Sequence, residues 1–334
     1  MRLATLVPSV PAGLVDCLEK CGIRTDTDLL FTPTLDLYRQ LPSGTITLRE
    51  LGKTIARVAD LASAKGTSGV DMLKEEVDAQ SKSRQLSSGV SELDQLLNGF
   101  GGQHVFEICG DRQSGKTVLA LNVVLRHLSQ SENTKVLWMD TTGDFSVDEA
   151  SRILNCYITE SASGTALERL QVSSTFDIEA AYEYSANTDT RKEAKLSCIV
   201  IDAITPLLGP LLSAVSAQGH SMMTGFMHQL RIFAQTYSCS ILVINNTTFF
   251  NPSNPYSALA NAASTRKPAL GPSFAFLTDA TLWLTKAGEQ DEADPKIRYT
   301  IHTAEVLRSK ITRSKTWCTF KIAQGKVLDY APDQ

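Results

Sequence analysis

Short apolar runs alternate with amphipathic segments along most of the chain, from about residue 86 onward. The runs have the length of buried strands, and the segments between them repeat apolar residues at helical spacing. Continuous apolar strands separated by helices are typical of a parallel sheet that is covered by helices on both faces. The expected strands are 104–109, 136–140, 170–173, 198–204 and 240–245, and the expected helices are 118–128, 147–156, 177–185 and 222–237.

The pattern changes near the C-terminus, where helical spacing stops after about residue 278. Residues 278–286, 298–307 and 317–330 have the composition and spacing of strands instead. We expect them to form antiparallel strands at the edge of the sheet, with Trp283 and Trp317 in the core.

The first 65 residues have a different, helical pattern. Leu14, Leu18 and Cys21 recur at the spacing of one helix face. Asp26 or Thr27 is a candidate cap for a short helix that follows. Residues 66–85 are polar and weakly periodic, as expected of a linker. The sequence therefore predicts a small helical domain (1–65), a linker (66–85) and a main domain (86–334).

Composition restricts the class of protein. The chain has 334 residues, 43% hydrophobic and 20% charged, and a net charge of −4, which argues against a globally basic surface that holds a partner. No apolar run reaches the ~18 to 20 residues of a membrane span, and the N-terminus lacks the length of a secretory signal. The seven cysteines lie mostly in apolar segments, as do reduced, buried thiols. We expect a soluble intracellular protein.

Residues 110–117 contain the sequence motif with the clearest chemical implication. It fits G-x-x-x-x-G-K-[ST], and it lies between an expected strand and an expected helix, as a phosphate-binding loop requires. Glycines let backbone N–H groups turn toward the anion, Lys116 supplies a charge for the β- and γ-phosphates, and Thr117 supplies a hydroxyl ligand for Mg²⁺. The sequence therefore predicts an ATP–Mg²⁺ site, with Lys116 as its catalytic residue, formed by Gly110, Asp111, Arg112, Gln113, Ser114, Gly115, Lys116 and Thr117.

A second candidate Mg²⁺ residue is Asp202, at the end of the apolar run Cys198-Ile199-Val200-Ile201. A carboxylate at the carboxyl end of a buried strand suits a second-shell or water-mediated metal ligand. The alternative is that Asp202 caps the segment that follows.

Several motifs together resemble the RecA-type strand-exchange family. They are the helical N-terminal unit, the segment LSSGVSELDQLL that begins at Leu86, the phosphate loop, and KPALGPSFAF, which begins at Lys267. The first segment is similar to the S-x-G-x-x-x-L-D-x-L-L entry of eukaryotic and archaeal members. The last resembles most the D-type eukaryotic recombinase paralogues.

This resemblance implies a fold and a role. The fold is α/β, a RecA-like P-loop ATPase core with a mainly parallel sheet, helices on both faces and antiparallel C-terminal strands, preceded by a small helical domain. The implied role is that of an accessory paralogue in homologous-recombination repair in the nucleus. It implies partnership with other paralogues, the recombinase filament and single-stranded DNA. The alternative is an active DNA-dependent ATPase that exchanges strands itself.

Three departures from active recombinases favour the accessory role. Thr142 stands where the resemblance places a water-activating glutamate, so ATP hydrolysis is expected to be weak or absent. The alternative is that Asp144, two residues further along, substitutes for that glutamate. Asn246 stands at a strand end where a γ-phosphate-sensing glutamine is usual, and an amide that satisfies a strand end is an equally good interpretation. Residues 66–86 lack the aromatic anchor through which active members polymerise.

The resemblance also implies two DNA-binding loops, one from Asp202 to about His220 and one over residues 247–270. The second loop contains Phe249 and Phe250, which are suited to stacking on bases, but its only basic residues are Arg266 and Lys267. Residues 296–326 have eight basic residues against Glu305 alone, a net +7 that leaves −11 for the rest of the chain. Candidate DNA contacts in that segment are Arg308, Lys310 and Arg313. The alternative is an edge strand kept from aggregation by its charges.

Overall fold

A computed structural model describes residues 2–7, 9–63, 66, 68–74, 77, 86–158, 160–175, 195–212, 217–249, 266–291 and 298–330. The chain divides into two compact units, Met1–Met72 and Leu73–Gln334. Within the described ranges, no helix has the length and apolar character needed to cross a bilayer.

The first unit is a helical bundle built on leucine and valine. A 3-10 turn (Leu3–Leu6) precedes helices α1 (Ala12–Lys20), α2 (Asp26–Phe31), α3 (Thr34–Gln40) and α4 (Leu48–Ala62). Their apolar faces share one core, which includes Leu14, Leu18, Leu29, Leu37, Leu51 and Val58.

Helix α2 begins one residue earlier than the sequence predicted. The cap is Thr25, whose hydroxyl accepts from the Asp28 backbone N–H at 3.1 Å, while the Asp28 carboxylate accepts from the Thr25 N–H at 2.9 Å. This reciprocal capping box satisfies two backbone donors at once. The prediction of Asp26 or Thr27 as the cap was therefore wrong, since a cap must lie just outside the helix.

The second unit is an α/β domain. Its helices are α5 (Ser91–Leu97), α6 (Lys116–Gln130), α7 (Val147–Leu154), α8 (Glu160–Glu168), α9 (Ile204–Leu208), α10 (Ala217–Tyr237) and α11 (Pro272–Leu277). Its strands are β1 (Val105–Gly110), β2 (Thr134–Asp140), β3 (Leu170–Ser174), β4 (Lys195–Asp202), β5 (Ser240–Asn245), β6 (Thr247–Phe249), β7 (Arg266–Pro268), β8 (Ala280–Asp291), β9 (Arg298–Ser309), β10 (Trp317–Ala323) and β11 (Lys326–Asp329).

Nine of these strands form one sheet in the order β11-β10-β9-β8-β1-β5-β4-β2-β3, and β6 and β7 form a separate two-stranded hairpin. The strands from β8 to β3 in that order run parallel, and β9, β10 and β11 continue antiparallel. The predicted α/β architecture is confirmed. The first C-terminal strand, β8, pairs antiparallel with β9 as predicted, and it also pairs in parallel with β1, so it joins the two parts of the sheet.

The two faces of the sheet bury separate apolar clusters, which follows from the alternation of side chains along each strand. On β1, Phe106 and Ile108 face a cluster covered by α5, α6, α7 and α8. Val105 faces the other cluster, which α9, α10 and α11 cover. Every residue of β1 and β5 is buried, which explains their continuous apolar runs.

Other sequence predictions differ in detail. The strand predicted over 198–204 ends at Asp202, and Ile204 begins a helix. The run 317–330 is two strands joined by a tight turn, because Gln324 and Gly325 both adopt positive φ. Trp317, expected in the core, is 65% exposed. The predicted helix over 177–185 lies outside the described residues.

The register places the carboxyl ends of four strands side by side. Cys109 pairs with Asn245, Asp202 pairs with Ile244, and Asp140 pairs with Asp202. The carboxyl ends of β1, β5, β4 and β2 therefore meet at one edge of the sheet, where ligands bind in open α/β folds.

Candidate nucleotide-binding site

A hollow of about 550 Å³ lies at this carboxyl edge. It brings together seven residues that the sequence predicted: Gly110, Arg112, Gln113, Lys116, Thr117, Asp202 and Asn246. Thr142 and Asp144 also line it, so the position of the absent glutamate does lie inside the hollow.

The phosphate loop requires glycine at its two motif positions. Gly110 has φ +153°, and a side chain there would place a Cβ 2.2 Å from the Leu284 carbonyl oxygen. Gly115 has φ +92°, and its Cβ would lie 2.8 Å from Ile322 Cδ1. The close approach of the β8 backbone therefore explains Gly110, and the positive φ explains Gly115.

Lys116 is folded into the loop. Its Nζ donates to the carbonyl oxygens of Gly110 (2.9 Å) and Asp111 (2.7 Å). Burial lowers the pKa of Lys116, and the charge of Asp202 acts in the opposite direction. The ammonium is thus positioned where an anion in the hollow would stabilise it.

Thr117 and Asp202 meet across the floor of the hollow. The Thr117 hydroxyl donates to Asp202 Oδ2 at 2.9 Å. Burial is the main reason that the pKa of Asp202 is raised to about 6; the Thr117 hydrogen bond acts against it, and the charge of Asp140 acts with it. A divalent cation beside these two oxygens would offset the buried negative charge, so the pair is chemically suited to Mg²⁺.

The side chain of Ser114 is a separate observation that indicates an anion-binding loop. Its hydroxyl is buried and has no hydrogen-bond partner. Buried polar groups are nearly always paired, because leaving one unpaired costs about 1 to 3 kcal/mol. The orphaned hydroxyl, the inward ammonium and the Thr117–Asp202 pair together fit a nucleotide phosphate with its metal.

Asp140 holds the backbone around Thr142 in place. Its Oδ1 accepts from the N–H groups of Thr142 (3.0 Å) and Gly143 (2.9 Å), and its Oδ2 accepts from the Phe145 N–H (3.1 Å). Burial acts to raise the pKa of Asp140, but these backbone donors outweigh it and lower the pKa overall. Asp140 therefore orders the turn that presents position 142 to the hollow.

The end of β5 contains a polar network that the sequence did not reveal. Asn245 is fully buried and donates from Nδ2 to Glu107 Oε1 (2.7 Å) and the Ala269 carbonyl (3.0 Å), while its Oδ1 accepts from the Thr205 hydroxyl (2.8 Å). Burial raises the pKa of Glu107, against hydrogen bonds from Asn245 and Thr281. Only the fold joins these residues, since they come from five separate segments.

Asp111 ties the phosphate loop to the β6–β7 hairpin. Its Oδ1 accepts from the Thr247 hydroxyl at 3.0 Å and from Arg266 Nη1 at 2.7 Å. Arg266, predicted as a DNA contact, therefore forms an ion pair with Asp111 of the glycine-containing loop. Lys267 follows it in β7, and Phe249 ends β6. Phe250 lies outside the described residues, as does most of the second predicted DNA loop.

The basic residues of the C-terminal strands do not form one patch. Arg298 and Lys321 lie toward the carboxyl edge that contains the hollow, because β8 and β9 pair Asp291 with Arg298, and β9 and β10 pair Ile301 with Lys321. Arg308 pairs with Thr281, near the start of β8 and so at the opposite edge. Lys310 and Arg313 follow Arg308 in the loop after β9. The net charge of +7 is thus divided between the two opposite ends of the strands.

Two of the predicted DNA contacts in this segment have structural partners. Arg308 Nη1 donates to the carbonyls of Ala275 (2.5 Å) and Thr278 (3.3 Å), and its guanidinium lies over the Phe276 ring. Lys310 Nζ is 3.3 Å from Asp279 Oδ1, which Arg231 also binds. Arg313, by contrast, is exposed.

The chain is similar to known proteins of DNA repair and recombination. The Rad51 family model matches residues 79–306. The chain is 26% identical over 295 residues to "DNA repair protein RAD51 homolog 4" of Bos taurus, covering 84% of each chain, and 26% identical to the Mus musculus protein, covering 85% of this chain and 84% of that one. A solved structure, "Crystal structure of the RadB recombinase", superposes with a TM-score of 0.55 at 20% identity, over 74% of this chain and all of the other.

The nine-stranded sheet with its phosphate loop is that of a RecA-type P-loop protein, and the chain belongs to the Rad51 family. The predicted resemblance to a eukaryotic recombinase paralogue of the D type is confirmed by the relatives named RAD51 homolog 4.

Proposed function

We propose that this protein is an accessory recombinase paralogue in homologous-recombination DNA repair, acting in the nucleus. It binds ATP–Mg²⁺ and single-stranded DNA within a hetero-oligomer of paralogues and assists assembly of the recombinase filament. One observation carries the proposal: the residues that we propose bind phosphate line one hollow, and Thr142 lines it at the position proposed for a water-activating group. The names of its relatives, which are DNA repair proteins, support the proposed role in DNA repair.

Nucleotide binding rests on the loop geometry. Backbone N–H groups and the N-terminus of α6 suit the β-phosphate, and Lys116 suits the β- and γ-phosphates. Thr117 would hold Mg²⁺ directly and Asp202 through a water, and the ion would supply charge neutralisation between the phosphates. Asn246, in the wall of the hollow, remains a candidate γ-phosphate sensor.

The proposed accessory role is supported by the threonine at position 142, where a general base for the attacking water would be expected. A threonine hydroxyl cannot accept a proton from water near neutral pH, and a positioned base contributes about 10²- to 10⁴-fold to a reaction. Asp144 lines the same hollow and is the other carboxylate suited to that task. We propose that it substitutes poorly, so that the bound nucleotide controls assembly and turns over slowly.

The linker supports assembly with other paralogues rather than with copies of this chain. Residues 66–86 contain no aromatic residue to anchor a copy of this chain on the next. Head-to-tail contacts use two different surfaces, so a chain that lacks one of them ends a row of subunits. The proposal therefore makes this chain a terminal member of a mixed assembly.

Affinity purification of the tagged chain from its own cells, with and without ATP, tests the assembly. We expect other recombinase paralogues to co-purify, to a greater extent with ATP, and we expect Lys116→Ala to lose the ATP-dependent part. The purified chain by itself is expected to stay short of filament length. Filaments of this chain alone that exchange strands would establish the active recombinase instead.

For DNA binding, the described residues leave Arg313 as the clearest candidate of the C-terminal group, because Arg308 and Lys310 already hold α11 and Asp279. Arg313→Glu is expected to weaken single-stranded DNA binding several-fold and to lower the salt slope by about 1, as for one phosphate contact. Titration of a labelled oligonucleotide at several salt concentrations measures both.

Arg39→Glu is the matched control, since it makes the same charge change in the helical unit, beside Asp36. An equal loss in both variants would mean that net charge alone is responsible. Unchanged affinity in Arg313→Glu would favour an edge that is charged only to prevent aggregation.

A further inference from the structure

His302 lies directly behind the phosphate loop. It is buried on β9, and its Nδ1 is 2.9 Å from the Ser114 carbonyl oxygen. A carbonyl only accepts, so Nδ1 carries the proton in this contact. Nε2 lies 2.7 Å from the Thr300 hydroxyl and accepts from it. Both ring nitrogens are thus satisfied by a neutral imidazole.

The surroundings keep the ring neutral and in one orientation. Burial lowers the pKa of His302, the Ser114 hydrogen bond acts against this, and the charge of Lys286, its register partner on β8, lowers the pKa further. Lys116 is the charged side chain that lines a smaller hollow together with His302. The ring also stacks on Phe320, with centroids 5.4 Å apart and planes 19° apart.

We infer that His302 is a positioning residue for nucleotide binding, because its hydrogen bond sets the direction of the Ser114–Gly115 peptide in the phosphate loop. The peptide unit is planar and trans, so a carbonyl that points at the imidazole turns the Gly115 N–H to the opposite side. Inward N–H groups are what make such a loop bind anions. This inference rests on the proposed nucleotide binding.

A second contact between the same elements supports it. Besides Ile322, a Cβ at position 115 would meet His302, 3.4 Å from its Cε1 and Nδ1. A smaller hollow of about 260 Å³ on this side is lined by loop residues and by Thr300, His302 and Ile322. The antiparallel strands therefore form the back wall of the loop, and His302 is their polar contact with its backbone.

Two variants separate the hydrogen bond from packing. His302→Phe keeps a ring to stack on Phe320 but removes the donor to Ser114. His302→Asn places an amide N–H close to the position of Nδ1 and loses the stacking. In either variant Thr300 has an alternative acceptor in the Ile322 carbonyl, at 3.5 Å.

Calorimetric titration with Mg²⁺–ATP and with ADP, beside thermal unfolding, gives the readout. We expect His302→Phe to bind both nucleotides about tenfold more weakly, as for one lost hydrogen bond to a buried acceptor. His302→Asn is expected to recover most of that affinity although it packs less well. A purely structural role predicts the reverse order, since phenylalanine keeps the apolar contact.

Val306→Ala is the matched control, because Val306 is buried on the same strand and face as His302. It is expected to lower the unfolding temperature and leave nucleotide affinity unchanged. Equal affinity of His302→Phe and the unaltered protein, or of His302→Asn and a weakened His302→Phe, would overturn the inference. If His302→Phe does not fold, His302→Leu replaces it as the variant without a donor: a tenfold loss that His302→Asn does not share supports the inference, and unchanged affinity overturns it. Absence of nucleotide binding by the unaltered protein would overturn the proposed function as well.

Discussion

Lys116→Ala is expected to lower the affinity for Mg²⁺–ATP about 100-fold, close to 3 kcal/mol. The ammonium already lies in the loop, bonded to the Gly110 and Asp111 carbonyls, so it can bind phosphate without rearranging the backbone. Charge-assisted hydrogen bonds contribute about 1.5 to 3 kcal/mol each, and Lys116 is suited to two phosphates. Calorimetric titration of the purified chain measures the loss.

Asp202→Asn is the matched comparison in the same experiment. It keeps an oxygen for the Thr117 hydroxyl but removes the charge that a divalent cation requires. We expect it to lose the part of the affinity that depends on Mg²⁺ and to keep Mg²⁺-free ADP binding, whereas Lys116→Ala loses both. Unchanged ATP affinity in Lys116→Ala would mean that the loop is a structural turn, and the proposed nucleotide binding would fail.

Thr142→Glu is expected to raise ATP turnover about 100-fold above the unaltered protein, the lower end of what a positioned base contributes. Position 142 already lines the hollow, and its backbone is held by Asp140, so a carboxylate there reaches water beside the bound phosphates. Steady-state phosphate release measures the change. The unaltered protein is expected to turn over little faster than Lys116→Ala.

The double variant Thr142→Glu/Lys116→Ala is the control for this gain, since turnover at this site requires the bound nucleotide. Asp144→Asn in the Thr142→Glu background shows whether the second carboxylate contributes. Brisk turnover by the unaltered protein that Lys116→Ala abolishes would contradict the accessory role and favour an active ATPase.

The phosphate loop could be predicted from the sequence because it is local. Eight consecutive residues contain both glycines, the lysine and the threonine hydroxyl. The apolar runs on either side predict a strand and a helix. The parallel sheet was equally accessible, since strands buried on both faces need continuous apolar runs. Asp202 could be placed at the same site because carboxyl ends of parallel strands share one edge.

The basic C-terminal segment shows where such inference ends. Along the sequence its charges look like one patch, but a β-strand extends about 3.3 Å per residue and β9 has twelve residues. Arg298 and Arg308 therefore lie at opposite ends of the strand, near different edges of the sheet. A sum of charges along the sequence cannot reveal this separation, because it contains no information on strand direction or register.

The sequence by itself determined the phosphate loop, the mainly parallel sheet and the family resemblance. Each of them depends on residue types that recur at fixed spacing within short segments of the chain. The tertiary structure alone decided which distant side chains support that loop: His302 behind Ser114, and Arg266 with Thr247 on Asp111. Those contacts join segments more than 100 residues apart. Their existence depends on strand order and register, which result from packing the whole sheet.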